Sequence, residues 1–477
     1  MGDLHTGISA PPARGTGNLF ALPVNRWRAL LVAVSLLPAL HAVAVLGRIH
    51  PDEVYQWLEP ALWRARGYGI LAWEWQSAGL RNWAGPLLLS WLIRACDAVG
   101  VDHPRAVRAV LEVPQWGLHL ASLLAVARWA GRRLGPGSAE ATLATVLVGM
   151  QGLVLLFAGR TLGESLSASL LLLAVEALDR EGEGAPARRA GQLGGLYLGL
   201  SVVARYGSAV MVVAALGWLA ARRRWTVLGW CTLSGLLVAA GLGVLDGATW
   251  GAPFHSLRAY LDFNVFSGKA AERFGSAPVG FYVPWLAREL PAWAWPGLWW
   301  AVRRERPLAS LPLVMGGAYL IAISAASHKE ERFLYPAVVL LSLAAAPAVL
   351  ELLGQGARRA RGVAVAGAVL VALAPLAWDW PELRGDQFRA LVQASRGGAT
   401  GLLVVNEGVW GAGGYFYLGR NLPWSVADEA REPRFKRAVA DRRVNRAVTF
   451  EGRALEELQQ AGFRVVAQVG RETVLER

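Results

Sequence analysis

Asp52 and Glu53, within GRIHPDEVYQWLEPA at residues 47–61, set two carboxylates side by side directly after the chain's first long apolar run. Acidic groups are costly at a membrane boundary and are seldom doubled there without a partner or a task. One task is general base catalysis, in which a carboxylate within hydrogen-bond reach takes the proton of an acceptor hydroxyl. Neighbours in sequence point in different directions, so one would be the base and the other a support that binds a hydroxyl or orients its neighbour. His50, Gln56 and Glu59 surround the pair and are candidate substrate-binding residues. The same stretch also reads as a helix start, with Asp52 as N-cap and Glu53 favourable in the first turn.

Two further stretches carry chemistry. In GYGILAWEWQSAGLRNWAGPL, residues 67–87, Glu74 lies between Trp73 and Trp75 and is followed by Arg81 and Asn82. Aromatic faces beside a carboxylate suit a sugar ring, although an interfacial helix also places tryptophans at headgroup depth. In SHKEERFLYP, residues 327–336, five consecutive ionisable residues interrupt two apolar runs. His328, Lys329 and Arg332 could hold a phosphate, with Glu330 and Glu331 as supporting groups; the bland alternative is a solvated turn. Arg160 and Arg205 each lie between apolar runs, where an arginine normally has a partner. Glu164 or a lipid phosphate would serve.

The rest of the chain must position these groups, and its composition points to a bilayer. Of 477 residues, 54% are hydrophobic and 17% charged, against about a quarter charged in soluble proteins. The net charge of +13 is carried by arginine in short loops, with lysine only at 269, 329 and 436. That is the loop pattern of a membrane protein, and no basic face interleaved with aromatics suggests nucleic acid. The two cysteines, Cys96 and Cys231, lie in apolar stretches and give no disulfide framework or zinc site. No metal-ligand set is legible, and no cofactor is expected.

Residues 1–24 read as a disordered cytoplasmic N-terminus. Twelve apolar runs follow, at 27–46, 83–100, 109–127, 140–158, 161–178, 191–204, 207–221, 226–246, 282–301, 309–327, 333–350 and 362–378. Arginine clusters at 188–189, 222–224, 303–306 and 358–361 mark cytoplasmic loops. By that rule the N-terminus is inside, while loops at about 48–82 and 248–281 and everything after 379 are outside. An inside start and an outside end need an odd number of crossings, so twelve is one too many. The conflict falls between 83 and 178, where Arg132 and Arg133 disagree with the count. After Trp380 the apolar runs shorten to strand length at 401–406, 445–450, 464–470 and the terminal ETVLER. Helical stretches at 386–395 and 453–461 alternate with them, predicting a small α/β domain over 380–477.

Taken together, HPDEVYQWLEPA, GYGILAWEWQSAGLRNWAGPLLL, RTLGESLSASLLL, YLDFNVFSGKAAERFGSAPVGFYVPWL and HKEERFLYP resemble Alg9-type mannosyltransferases, from about residue 45 to 340. The resemblance implies an α-helical polytopic membrane protein of the GT-C glycosyltransferase fold over 25–379, with about 11–13 transmembrane helices, and an extracytoplasmic C-terminal α/β domain. It implies an inverting transferase that moves a hexose, most readily mannose, from a polyprenyl-phosphate sugar donor to a glycolipid or lipid-linked glycan acceptor. Asp52 would take the acceptor proton, with Glu53 as its catalytic partner. Glu74 and Asn264 fall in the family's loop motifs, and His328 to Arg332 in its basic motif. The scheme needs no metal. Histidine is missing from the SAPVGFYVPWL segment, where eukaryotic members often have it, so acceptor identity is open. Abundant arginine, alanine and glycine hint at a bacterial inner membrane with an outward-facing site, or the ER membrane if the source is eukaryotic. A transferase for arabinose, galactose or glucose is the near alternative. A flippase or transporter for lipid-linked sugars would show repeat symmetry and mid-bilayer charge pairs, and neither is evident.

Overall fold

The computed structural model describes residues 24–76, 78–180, 185–304, 310–354, 366, 367, 370, 384–405 and 413–477. Helix α1 (Val24–Ala44) leads into a π-helical turn (Glu53–Leu58) and α2 (Glu59–Arg66). A single 3₁₀ turn (Trp73–Trp75) precedes α3 (Ala84–Ala98) and the long α4 (Pro104–Leu134). The run at 140–158 is split into α5 (Ala139–Gly149) and α6 (Gly152–Phe157). Next come α7 (Gly163–Leu178), α8 (Ala185–Ala204), α9 (Ala209–Ala221) and α10 (Trp225–Trp250). Short helices α11 (His255–Leu261) and α12 (Lys269–Phe274) fill the second long loop. The run at 282–301 breaks at Pro291 into α13 (Tyr282–Glu289) and α14 (Ala294–Arg304), as a missing backbone donor requires. The bundle ends with α15 (Leu311–Ala325) and α16 (Tyr335–Gly354), and the run at 362–378 lies largely outside the described residues.

Among the described residues, three helices are long and apolar enough to cross a membrane by length and composition alone: α4, α10 and the segment 331–354 that contains α16. The last is 94% buried within the protein and α10 only 22%, so α16 is the hub of the bundle and α10 faces its surroundings. The aliphatic exterior of α10, with Leu236, Leu237 and Val244 all exposed, is the lipid face expected of a peripheral span.

The structure corrects one of the twelve runs. Helix α3 does not traverse the bundle but lies along α2, with Arg66 bound to Asp97 at 2.6 Å and Arg94 to the Arg64 carbonyl at 2.7 Å. At its start, Asn82 bonds the Val203 carbonyl at the end of α8; soon after its end, α4 begins. Both ends of α3 therefore lie at one end of the molecule, which takes 83–100 out of the twelve runs read in sequence; of the others, the run at 362–378 lies largely outside the described residues. Arg132 and Arg133 then close α4 at the opposite end, where Glu176 takes Arg132 at 2.9 Å and Arg180 at 2.7 Å. Their conflict with the other arginine turns disappears. The π-turn and α2 fall where the sequence also reads as a helix start, and they are helical because a continuous apolar face (Val54, Tyr55, Leu58, Ala61, Leu62) packs inward.

The tail folds as α17 (Gly385–Ala394), β1 (Leu402–Val405), α18 (Gly414–Leu418), β2 (Trp424–Ala427), α19 (Pro433–Ala440), β3 (Arg446–Thr449), α20 (Gly452–Gln460), β4 (Arg464–Val469) and β5 (Glu472–Glu476). The sheet order is β2-β1-β3-β5-β4, with β1 parallel to β2 and β3, and β5 antiparallel to β3 and β4. The strands LLVV and RAVT are buried along their whole length, the first continuously apolar, as expected where both faces are covered. Strand β2 was not legible, because an edge strand of four residues after Pro423 carries no alternation to read.

Candidate active site

At the α3 end of the bundle a cavity of about 480 Å³ opens between the first loop, the ends of α7 and α8, the α11–α12 loop and the turn before α16. Asp52 heads the π-turn with φ −59°, already helical, and its side chain makes no capping bond. A capping side chain needs an extended residue, so the cap reading gives way. The carboxylate turns into the cavity instead and meets Arg332 at 2.7 Å and His50 at 3.3 Å. Arg332 also holds Glu330 at 2.6 Å and Glu164 at 3.4 Å. Glu330 in turn reaches His50 at 3.2 Å and His328 at 3.0 Å. Residues 280 apart in sequence thus form one ionic net. Burial raises the Asp52 carboxyl, but the Arg332 guanidinium and His50 outweigh it and hold Asp52 well below the usual carboxylate range. Glu330 is held low in the same way, burial being overcome by His328, His50 and Arg332. On His50, burial and Arg332 act downward, while the hydrogen bonds with Asp52 and Glu330 prevail and raise it.

Behind this net, Glu164 at the start of α7 pairs with Arg205 at 3.3 Å. Gly163 makes the approach possible, since a Cβ there would stand 2.7 Å from the Ala204 carbonyl. Arg205 also bonds the Tyr319 hydroxyl and lies 4.8 Å over the Phe333 ring. A second net lies across the cavity: Glu74 receives Arg81 at 2.7 Å and both Gln56 contacts at 3.1 and 3.2 Å. Asn264 lines the wall nearby and bonds the Tyr260 carbonyl at 3.0 Å.

The cavity therefore collects Asp52, His50, Gln56, Glu74, Trp75, Arg81, Glu164, Arg205, Asn264, His328, Glu330 and Arg332. Other sequence candidates fall elsewhere. Glu53, one residue on from Asp52, points to the rear and is fully buried against Arg108, with Arg160 at 3.6 Å. Arg160 spends Nη1 on the Gly47 carbonyl at 2.6 Å, so both residues fasten the first loop and neither lines the cavity. Glu59 is buried where it accepts the Ile70 and Phe416 amides at 2.6 Å each. The Lys329 ammonium is turned inward onto the Ala277 and Ala326 carbonyls. Glu331 projects away from the cavity. Trp73 packs against Phe263 at 5.2 Å and beneath Arg273, while Trp75 is pinned by its bond to the Tyr55 carbonyl at 3.1 Å. The two indoles diverge, so they do not sandwich a ring beside Glu74.

Sequence reasoning missed Arg108 and Tyr417, both fully buried partners of this region. Arg108 lies on α4 four residues before Glu112, a spacing that signals a pair. Tyr417 belongs to the tail, and its only signal is the glycine-bounded aromatic motif GGYFYLG. The walls formed by Trp57, Tyr260 and Phe263 were not singled out either.

Residues 29–378 match the model of the Alg9-like mannosyltransferase family. GPI mannosyltransferase 3 of Yarrowia lipolytica is 30% identical over 68% of this chain and 62% of its own length. The Eremothecium gossypii protein of the same name is 26% identical over 65% and 64%. The chain thus matches under two thirds of the length of these relatives. Among solved structures, ArnT from Cupriavidus metallidurans bound to undecaprenyl phosphate superposes with a TM-score of 0.60 at 16% identity, over 95% of this chain and 98% of that one. An Archaeoglobus fulgidus oligosaccharyltransferase gives 0.52 at 12% identity, over 89% and 69%. The chain belongs to the Alg9-like mannosyltransferase family and is a multi-pass membrane protein of the GT-C fold.

Proposed function

We propose that this enzyme transfers mannose, with inversion, from a polyprenyl-phosphate carrier to a hydroxyl of a glycolipid or lipid-linked glycan, and that Asp52 is the general base. The observation that carries the reading is the Asp52 carboxylate facing the cavity beside Arg332. The names of the relatives support mannose and a glycolipid acceptor, and a structural neighbour that binds undecaprenyl phosphate supports the carrier. The arginine-rich turns gather at the far end of the bundle, which supports an extracytoplasmic cavity and tail domain.

In this reaction the acceptor O–H bond breaks toward Asp52, the oxygen forms a bond to C1, and the C1–O bond to phosphate breaks with its electron pair leaving on the phosphate. A guanidinium-paired carboxylate is a weak base, and a weak base suffices when C1 carries oxocarbenium character and makes the attacking hydroxyl acidic. Arg332 and Arg205 are the guanidiniums on the Asp52 side of the cavity, and they receive the phosphate in place of Lys329. Each is bound to carboxylates, so the donor phosphate must compete for them. As it draws Arg332 from Asp52, the basicity of Asp52 rises toward the ordinary carboxylate value. The donor thereby improves the base that completes its own transfer.

The test is purified protein in nanodiscs with a panel of polyprenyl-phosphate sugars, reading free polyprenyl phosphate. Release from the mannosyl carrier in the presence of a glycolipid acceptor is expected. Release from another sugar alone would shift the donor assignment, and none from any would contradict the reading.

A further inference from the structure

We infer that Tyr417, in the tail domain, is a positioning residue for transfer: its hydroxyl, through Arg108 and Glu53, fixes the turn that presents Asp52 to the cavity. The inference rests on the reading of Asp52 as base, and it gives the tail domain a part in the reaction.

The tail docks through α18, which the motif GGYFYLG builds. Gly413, Gly414 and Gly419 bracket the helix with φ of +79°, +70° and +72°, a conformation that favours glycine. A Cβ at Gly414 would collide with the Glu59 carboxylate. Phe416, Tyr417 and Leu418 are all buried. The Tyr417 ring stacks on Phe388 of α17 at 4.2 Å, so the tail's own core aims its hydroxyl.

That hydroxyl donates to the Leu46 carbonyl at 3.0 Å and accepts from Arg108 Nη1 at 3.0 Å. Arg108 spends Nε on the Ala42 carbonyl at 3.0 Å and pairs through Nη2 with Glu53. Arg160 adds the Gly47 carbonyl. The carbonyls of residues 42, 46 and 47, which carry the chain from α1 into the acidic turn, are thus all tied to one buried net. Glu53 is the rear anchor of that turn and Asp52 its front, and successive side chains on a helical turn diverge by design of the backbone. Moving the anchor moves the base. Catalytic geometry is sensitive at this scale, since a displacement of about 1 Å can cost about a hundredfold in rate. On the other side of the turn, the Phe416 amide bonds Glu59 at 2.6 Å, so α18 grips the acidic segment before and after Asp52.

The test uses the full-length protein in nanodiscs and the variant Tyr417→Phe, which keeps the stacked ring and deletes the hydroxyl. Per folded enzyme, kcat is expected to fall about tenfold to a hundredfold, with KM for both substrates within about twofold. Amides 46–58 should exchange hydrogen faster, with little change elsewhere. Tyr415→Phe, on the same helix but facing Tyr68, should leave kcat unchanged. An unchanged kcat in Tyr417→Phe, or a loss matched by the loss of folded protein, overturns the inference. Should that variant not accumulate, Phe388→Leu removes the ring that aims Tyr417 and should give the same pattern more weakly; unchanged kcat and exchange there overturn it equally. If the wild type releases no polyprenyl phosphate, the functional reading fails, while the exchange at 46–58 still reports the coupling. If Asp52→Asn abolishes transfer and Tyr417→Phe does not impair it, only the positioning role fails.

Discussion

Arg332 touches three carboxylates, those of Asp52, Glu164 and Glu330, and this crowding sets how the site should respond to pH. A base held low stays ionised into acid, so the acid limb of kcat/KM, which reports free enzyme, should lie below the ordinary carboxylate value of about 3.9. The acid limb of kcat, which reports the occupied enzyme, should lie higher, because bound phosphate takes Arg332 away. Replacing Arg332 with Gln removes the cation that lowers Asp52; the kcat/KM limb should then move up and the gap between the two limbs close. Rate profiles between about pH 3 and 8 would decide this, and an unmoved limb would count against the Asp52–Arg332 coupling. At this scale the sequence was a partial guide. Asp52, Glu74 and Arg332 were legible because carboxylates and guanidiniums stand out against apolar runs. The inward turn of Lys329 was not, since a flexible four-carbon stem gives no local sign of which carbonyls it will find.

Among the elements, the π-turn and the start of α3 line the cavity, and α18 packs on the π-turn and α2. Glu59, at the α2–α18 contact, is buried, and burial raises its carboxyl to about 7 against the opposing amides of Ile70, Phe416 and Tyr415. The folded protein therefore binds a proton between about pH 4.5 and 7 that the unfolded chain has released. Its stabilising effect is complete below 4.5 and is lost as pH rises through about 7. From an ordinary value of 4.5 to about 7, with 1.36 kcal/mol per unit, the loss is on the order of 3 kcal/mol. Unfolding followed from pH 4 to 8 should show the wild type weakening with rising pH and Glu59→Gln much less so; parallel curves would refute the assignment. The placement of α3 has its own test. Single cysteines at Gly100, just past α3, and at Ser267, in the α11–α12 loop, should react with an impermeant maleimide from one side of the membrane. A cysteine at Arg223, between α9 and α10, should react from the other. Opposite labelling of Gly100 and Ser267 would mean that α3 crosses. Apolar length misled the reading here, because an amphipathic helix lying beside a partner carries as many leucines and tryptophans as a short span.

For the whole molecule, helix existence was readable in most of the bundle because alternatives to intrahelical hydrogen bonding are excluded in lipid. What composition left out was the depth of each helix, such as the enclosure of α16 against the exposure of α10, since in lipid both core and periphery are apolar. Long-range joins were hidden for the same reason. Nothing local in GGYFYLG announces that Tyr417 will meet Arg108, 309 residues away. The assembled protein reads as a bundle that carries a carboxylate into a polar cavity, with a tail domain bracing it from behind. The central claim is that Asp52 takes the acceptor proton. It is tested most directly by comparing wild type and Asp52→Asn for polyprenyl-phosphate release from the mannosyl donor, with donor binding and thermal stability measured on the same samples. Loss of turnover by about a thousandfold or more with donor binding and folding kept is the expected result, consistent with removal of a positioned base. Turnover at the wild-type rate in Asp52→Asn would contradict it.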